Sequence, residues 1–131
     1  MDDNLSKPMV LVVDDHESQR ALFKLLADRL DISVHAVGSA AEALRAVETY
    51  KFDAILMDVQ MPVMNGFDCT RAIRKQMNDY TPIIAVTACV FPGDREKCLD
   101  SGMDDYLPKP FELGELRDKL DTWIGRKRPT D

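Results

Sequence analysis

Five short runs of apolar, mostly β-branched residues alternate with segments of helical spacing. This alternation constrains the chain more than any other feature. The runs lie at Met9–Val13, Ser33–Val37, Asp53–Met57, Pro82–Val86 and Asp104–Leu107. Leu22, Leu25, Leu26 and Leu30 form one apolar stripe, and Ala40, Ala43, Leu44 and Val47 a second. Phe67, Thr70, Ile73 and Met77 form a third, and Leu113, Leu116, Leu120 and Ile124 a further one. A short helix is predicted over Pro92–Ser101, with proline in its first turn and Gly102 just past its end. The pattern is βα repeated five times. The first, third and fourth runs are continuously apolar, as in strands buried on both faces. Such strands build a parallel sheet with helices on both sides, joined by right-handed crossovers. The pattern alone leaves strand order open.

At 131 residues the chain is one domain, since two cores would be cramped. The expected division is a tail over 1–8, the domain over 9–125 and a tail over 126–131. Hydrophobic residues at 45% and charged residues at 31% exclude a disordered chain. The net charge is −6, and basic residues cluster only at Arg126-Lys127-Arg128, which argues against nucleic-acid binding. Cys69, Cys89 and Cys98 are odd in number and lack CxxC spacing, so they read as free thiols rather than a disulfide framework or zinc site. The acidic start Met1-Asp2-Asp3-Asn4 is no signal peptide. No apolar run approaches the roughly 18 residues of a membrane span. A soluble, cytoplasmic domain without membrane contact is expected.

In open parallel sheets, ligands bind beyond the carboxyl ends of the strands. Asp14 and Asp15 follow the first run, Asp58 the third, Thr87 and Ala88 the fourth, and Lys109 the fifth, between Pro108 and Pro110. Each has an ordinary role when taken alone. Asp14 or Asp15 can cap a helix, Asp58 can form a turn, Thr87 can end a strand, and Lys109 can be solvated. Their coincidence at four of five strand ends points to a site. Three close carboxylates repel unless a cation joins them. Oxygen ligands, few in number, favour Mg²⁺. Mg²⁺ and Lys109 together would welcome a phosphoryl group, with hydrogen bonds from Thr87 and from the main-chain N–H groups of Val59 and Ala88. A carboxylate can itself be the nucleophile and form an aspartyl phosphate.

These residues lie in the segments VLVVDD (10–15), ILMDVQMPVMNGFD (55–68), PIIAVTA (82–88) and GMDDYLPKPF (102–111). In this order they resemble the receiver domain of two-component phosphorelays, most closely the receivers of hybrid sensor histidine kinases, over about residues 9–125. The resemblance implies a flavodoxin-like doubly wound (βα)5 fold with sheet order 2-1-3-4-5. It implies that Asp58 is the phosphoacceptor. Asp15, Asp58 and the main-chain carbonyl of Gln60 would ligate Mg²⁺, and Asp14 would act mostly through water. Thr87 and Tyr106 would be the switch pair, Lys109 would meet a phosphoryl oxygen, and the Lys109–Pro110 bond would be cis. His16, Gln19, Arg20 and Phe23 would receive the partner, a histidine kinase or a histidine-containing phosphotransfer protein. The fourth helix, fifth strand and fifth helix would form the output face, which in the family can self-associate. Trp123 is open between core and partner contact.

The chain departs from its relatives at Cys89-Val90-Phe91-Pro92, where Pro92 bars a helix start before itself. Other users of the fold fit less well. An FMN-binding flavodoxin needs a Ser/Thr/Gly cradle where this chain has Asp14-Asp15-His16-Glu17. GxGxxG and GxxxxGK[ST] are both absent. A pseudo-receiver would lack part of the acidic, Thr87 and Lys109 set, which here is complete. The resemblance thus implies a signalling domain that catalyses its own phosphorylation and dephosphorylation, without turnover of a separate substrate. Whether it stands alone or belongs to a larger protein is open.

Overall fold

The computed structural model describes residues 7–77, 80–88 and 93–125. Strands β1 (Met9–Val13), β2 (Ser33–Val37), β3 (Ala54–Asp58), β4 (Ile83–Thr87) and β5 (Asp105–Pro108) alternate with helices α1 (Glu17–Leu30), α2 (Ala40–Thr49), α3 (Gly66–Met77), α4 (Asp94–Asp100) and α5 (Leu113–Ile124). The strands form one parallel sheet in the order β2-β1-β3-β4-β5.

The pleat sorts each central strand between two core layers. Leu11, Val13, Ile55, Met57, Ile83 and Ala85 face the layer under α2, α3 and α4. Val10, Val12, Ala54, Leu56, Ile84 and Val86 face the layer under α1 and α5. Both faces of β1, β3 and β4 are therefore dry, which is why these runs carry no polar alternation.

The last three strands each begin and end one residue later than their apolar runs suggest. Asp53 and Asp104 use their carboxylates on neighbouring strand starts, accepting from Met9 N–H and Ile83 N–H, both at 2.8 Å. Pro82 has no N–H to give a ladder. Asp58 and Thr87 are in consequence the final residues of β3 and β4, paired with Val86 and Pro108. They are held by the sheet rather than by loops.

The buried face of α1 differs from the stripe read in the sequence. Leu22 and Leu25 are exposed, while Phe23 and Leu30 are buried with Leu26 and Ala27 packed beside them. Phe23 stacks on Phe111, ring centroids 6.0 Å apart. Its inward position comes from a partner 88 residues further along the chain, which helical periodicity cannot reveal. The described part of α4 begins at Asp94, after Gly93 at φ 91°. The expected start at Pro92, and the segment Cys89–Pro92, lie outside the described residues.

Local signals fix the other ends. Ser39 caps α2 by accepting from Glu42 N–H, and Glu112 with Glu115 form a reciprocal capping box on α5. Trp123 packs against the second layer and donates to Asp105 at 2.7 Å, with Lys119 at 3.0 Å on the other carboxylate oxygen. It is therefore part of the packing that holds α5 to β5.

Arg74 ties α3 to the far strands. Its guanidinium donates to the carbonyls of Gly102 (3.0 Å) and Thr81 (2.7 Å) and to Asp104 (2.8 Å). Arg74→Ala is expected to cost about 2–3 kcal/mol, because Asp104 and two carbonyls lose a charged donor. The measurement is the urea midpoint at unchanged m-value. Arg74→Lys should recover little, since one ammonium cannot serve three acceptors set for a planar fork.

Candidate functional site

The carboxyl edge of β1, β3, β4 and β5 gathers the polar residues. Asp14 directly follows β1 and is 2% exposed. Its backbone is fixed on both sides: its N–H donates to the Val37 carbonyl at 3.1 Å, and its own carbonyl accepts from Arg20 at 2.7 Å. Lys109 Nζ lies 3.4 Å from Asp14 Oδ2. The Lys109–Pro110 peptide bond is cis, and Lys109 N–H donates to the Thr87 carbonyl at 2.8 Å.

Asp58 is 5% exposed, and its Oδ1 accepts from Gln60 N–H at 3.2 Å. Burial, with Asp14 beside it, pushes its carboxyl up to about 6, against the opposing pull of Lys109 and the Gln60 N–H. Asp58 is therefore ionised above that pH.

Asp14, Asp15, His16 and Asp58 bring one ligand atom each within 4.8 Å of one another. Among the described residues, Asp15 Oδ1 is shielded from water and accepts no hydrogen bond, although His16 Nδ1 lies 3.1 Å away. A shielded anionic oxygen without a donor is costly unless a cation serves it. The three carboxylates of this set suit a hard divalent ion.

The other predicted residues lie around this centre. Val59 is buried behind Asp58, and Ala88 is exposed just past Thr87. Thr87 and Tyr106 line one cavity of about 480 Å³, together with Val59, Met61, Phe67 and Cys98. Gln19 lines a groove with Leu22, Leu26, Lys109, Pro110 and Phe111.

Three residues expected at the partner surface have contacts of their own within the domain. Phe23 is 2% exposed and belongs to the core, so it cannot receive a partner; Leu22, one position earlier, lines the groove instead. Arg20 braces the Asp14 carbonyl. His16, read as a docking residue, lies against the acidic pair, with Nδ1 3.2 Å from Asp14 Oδ1. Cys69 and Cys98 are free and buried, and burial pushes the Cys69 thiol up to about 12.

Sequence reading missed Gly66. A Cβ there would lie 2.3 Å from the Asp58 carbonyl oxygen and 2.8 Å from Val59 Cα. The start of α3 thus packs directly on the backbone that holds Asp58. The signal was a glycine at a first helical position, where almost any other residue serves helix formation better.

A doubly wound parallel sheet thus carries a buried carboxylate, an acidic pair and a lysine together at its carboxyl edge. Residues 10–121 match the model of the response regulator receiver domain. The chain is 38% identical to the sensor histidine kinase GacS of Pseudomonas protegens over 122 residues, covering 90% of this chain and 13% of that kinase. It is 39% identical to the autoinducer 1 sensor kinase/phosphatase LuxN of Vibrio campbellii over 124 residues, covering 94% of this chain and 14% of that protein. Its fold is similar to the receiver domain of sensor histidine kinase PA1611 from Pseudomonas aeruginosa, with a TM-score of 0.83 and 42% identity over 91% of this chain and 98% of that one. That crystal structure has a magnesium ion coordinated in the active-site cleft. The chain belongs to the response regulator receiver domain family, and it spans about one seventh of the length of the two sensor kinases.

Among the described residues, no helix is long and apolar enough to cross a membrane.

Proposed function

We propose that this chain is a phosphoacceptor of a two-component phosphorelay and that Asp58 takes the phosphoryl group. The observation that carries the reading is the convergence of Asp14, Asp15 and Asp58 with Lys109 at one sheet edge. One Asp58 carboxylate oxygen attacks phosphorus and forms the O–P bond. The P–N bond of the donor phosphohistidine breaks, and its electron pair stays on the imidazole, which takes a proton from water. Lys109 turns from Asp14 to a phosphoryl oxygen. Thr87 and the main-chain N–H groups of Val59 and Ala88 donate to the others.

Asp15, Asp58 and the Gln60 carbonyl would hold Mg²⁺, with Asp14 acting through water. Bound there, Mg²⁺ supplies positive charge that offsets the carboxylates and the incoming phosphoryl oxygens. The partner is a histidine kinase or a histidine-containing phosphotransfer protein in the cytoplasm. It docks over His16, Gln19 and Leu22. Tyr106 follows Thr87 when the site is filled and alters the α4–β5–α5 face, which serves output or self-association. The domain catalyses its own phosphorylation and dephosphorylation and turns over no separate substrate.

The test is intact mass after incubation with acetyl phosphate. One phosphoryl group is expected on the parent with millimolar Mg²⁺, and none in EDTA or on Asp58→Asn. Equal labelling of Asp58→Asn would refute the assignment.

A further inference from the structure

The β3–α3 connection contains a strained residue that the phosphoryl chemistry does not use. Val63 has φ 70°, a region where a β-branched side chain is an outlier. Met64 N–H donates to the Pro62 carbonyl at 2.8 Å and closes a three-residue turn around it. This turn with a positive central φ is the rare and strained form of the γ-turn. The loop is anchored on both sides of the turn. Met61 is buried, and Met64 packs against the core layer under α3. Gly66 N–H donates to the Val59 carbonyl at 2.8 Å, and Asn65 accepts from Asp68 N–H at 2.9 Å. On this fixed support the Val63 side chain is fully exposed. Folding gains nothing from an exposed isopropyl group in a left-handed turn, where glycine or asparagine fits with less strain. Such outliers persist where function requires them.

Position indicates the function. Val63 follows Asp58 by five residues, on a loop leading to the α3 side of the sheet, whereas the Gln19 and Leu22 groove lies on the α1 side. A small phosphodonor can reach Asp58 without covering this rim. A protein that delivers a phosphohistidine to a carboxylate only 5% exposed must cover it. We propose that Val63 is a specificity-determining contact for the protein phosphodonor, its side chain seated in an apolar recess beside the phosphohistidine. This rests on the phosphoryl acceptance proposed above.

The test compares the parent, Val63→Asn and Val63→Ile. Asparagine tolerates the positive φ but removes the apolar knob; isoleucine keeps the knob. Each is labelled with acetyl phosphate, and with whichever of a panel of autophosphorylated histidine kinases labels the parent fastest. Val63→Asn is expected to melt at or above the parent temperature and to react with acetyl phosphate at the parent rate. It should accept from the kinase about tenfold more slowly, the loss typical of truncating an interface anchor. Val63→Ile should keep the parent rate with both donors. A parent-like kinase rate in Val63→Asn overturns the proposal, as does an equal slowing with both donors, which would place the effect in the loop itself. If acetyl phosphate labels the parent but no kinase does, the proposal fails while Asp58 chemistry stands. If nothing labels the parent, the phosphoacceptor reading fails with it.

Discussion

In metal-free buffer at neutral pH, Asp58→Asn is expected to be more stable than the parent by about 3 kcal/mol, a rise of roughly 10 °C in melting temperature. The cause is the position of Asp58, buried at the end of β3 beside Asp14, which raises its carboxyl from 3.8 to about 6. Between those values the folded chain holds a proton that the unfolded chain has released. Stability therefore falls as pH rises through this window, and the contribution of a neutral Asp58 is complete only below the unfolded value. Asparagine keeps the shape and cannot ionise. The difference between the two proteins should vanish below about pH 3 and reach its full size above about pH 7. Urea titrations of both proteins across this range measure it. Millimolar Mg²⁺ should stabilise the parent more than the variant and narrow the gap, because an ion that binds only the folded state adds stability by mass action. A parent as stable as Asp58→Asn at every pH would show that the pocket stores no repulsion.

Gly66→Ala should be damaging well beyond the usual effect of adding one methyl. The new Cβ would stand 2.3 Å from the Asp58 carbonyl oxygen. The obstacle is backbone at the end of a central strand, so no side chain can rotate away. Helix propensity alone favours alanine by up to about 1 kcal/mol. The clash should outweigh that and leave the variant about 2–3 kcal/mol less stable. Because the displaced atoms carry Asp58, acetyl phosphate labelling should fall more than stability does. Urea unfolding and labelling rate, measured on one preparation, check both halves. A variant as stable and reactive as the parent would mean that α3 does not constrain the site.

The sheet and its contents were legible because they follow from one-dimensional rules. Continuous apolar runs mark strands covered on both faces, and the carboxyl ends of such strands are where Asp14, Asp58, Thr87 and Lys109 stand. What was not legible depends on contacts between distant segments. Four leucines in α1 suggested an inward stripe, but Phe111 draws Phe23 inward and leaves Leu22 and Leu25 outside. The same contact takes Phe23 off the surface and leaves Leu22 lining the groove beside Lys109. Gly66 is needed for a backbone approach that no local pattern announces. Arg74 meets acceptors from residues 81, 102 and 104, and alone in the sequence it is one more helical cation. His16 looked like a surface residue at a helix start, and only the turn after β1 shows it lying against Asp14 and Asp15.

The expected bond joins the buried carboxylate of residue 58 to phosphorus. It can be read at single-residue resolution. After phosphorylation with acetyl phosphate and Mg²⁺, borohydride reduces an aspartyl phosphate to homoserine, and peptide mass spectrometry locates the change. Homoserine at position 58, with Asp14 and Asp15 unaltered, is the expected result. Homoserine at Asp14 or Asp15, or none anywhere in a chain that has gained a phosphoryl group, would contradict it.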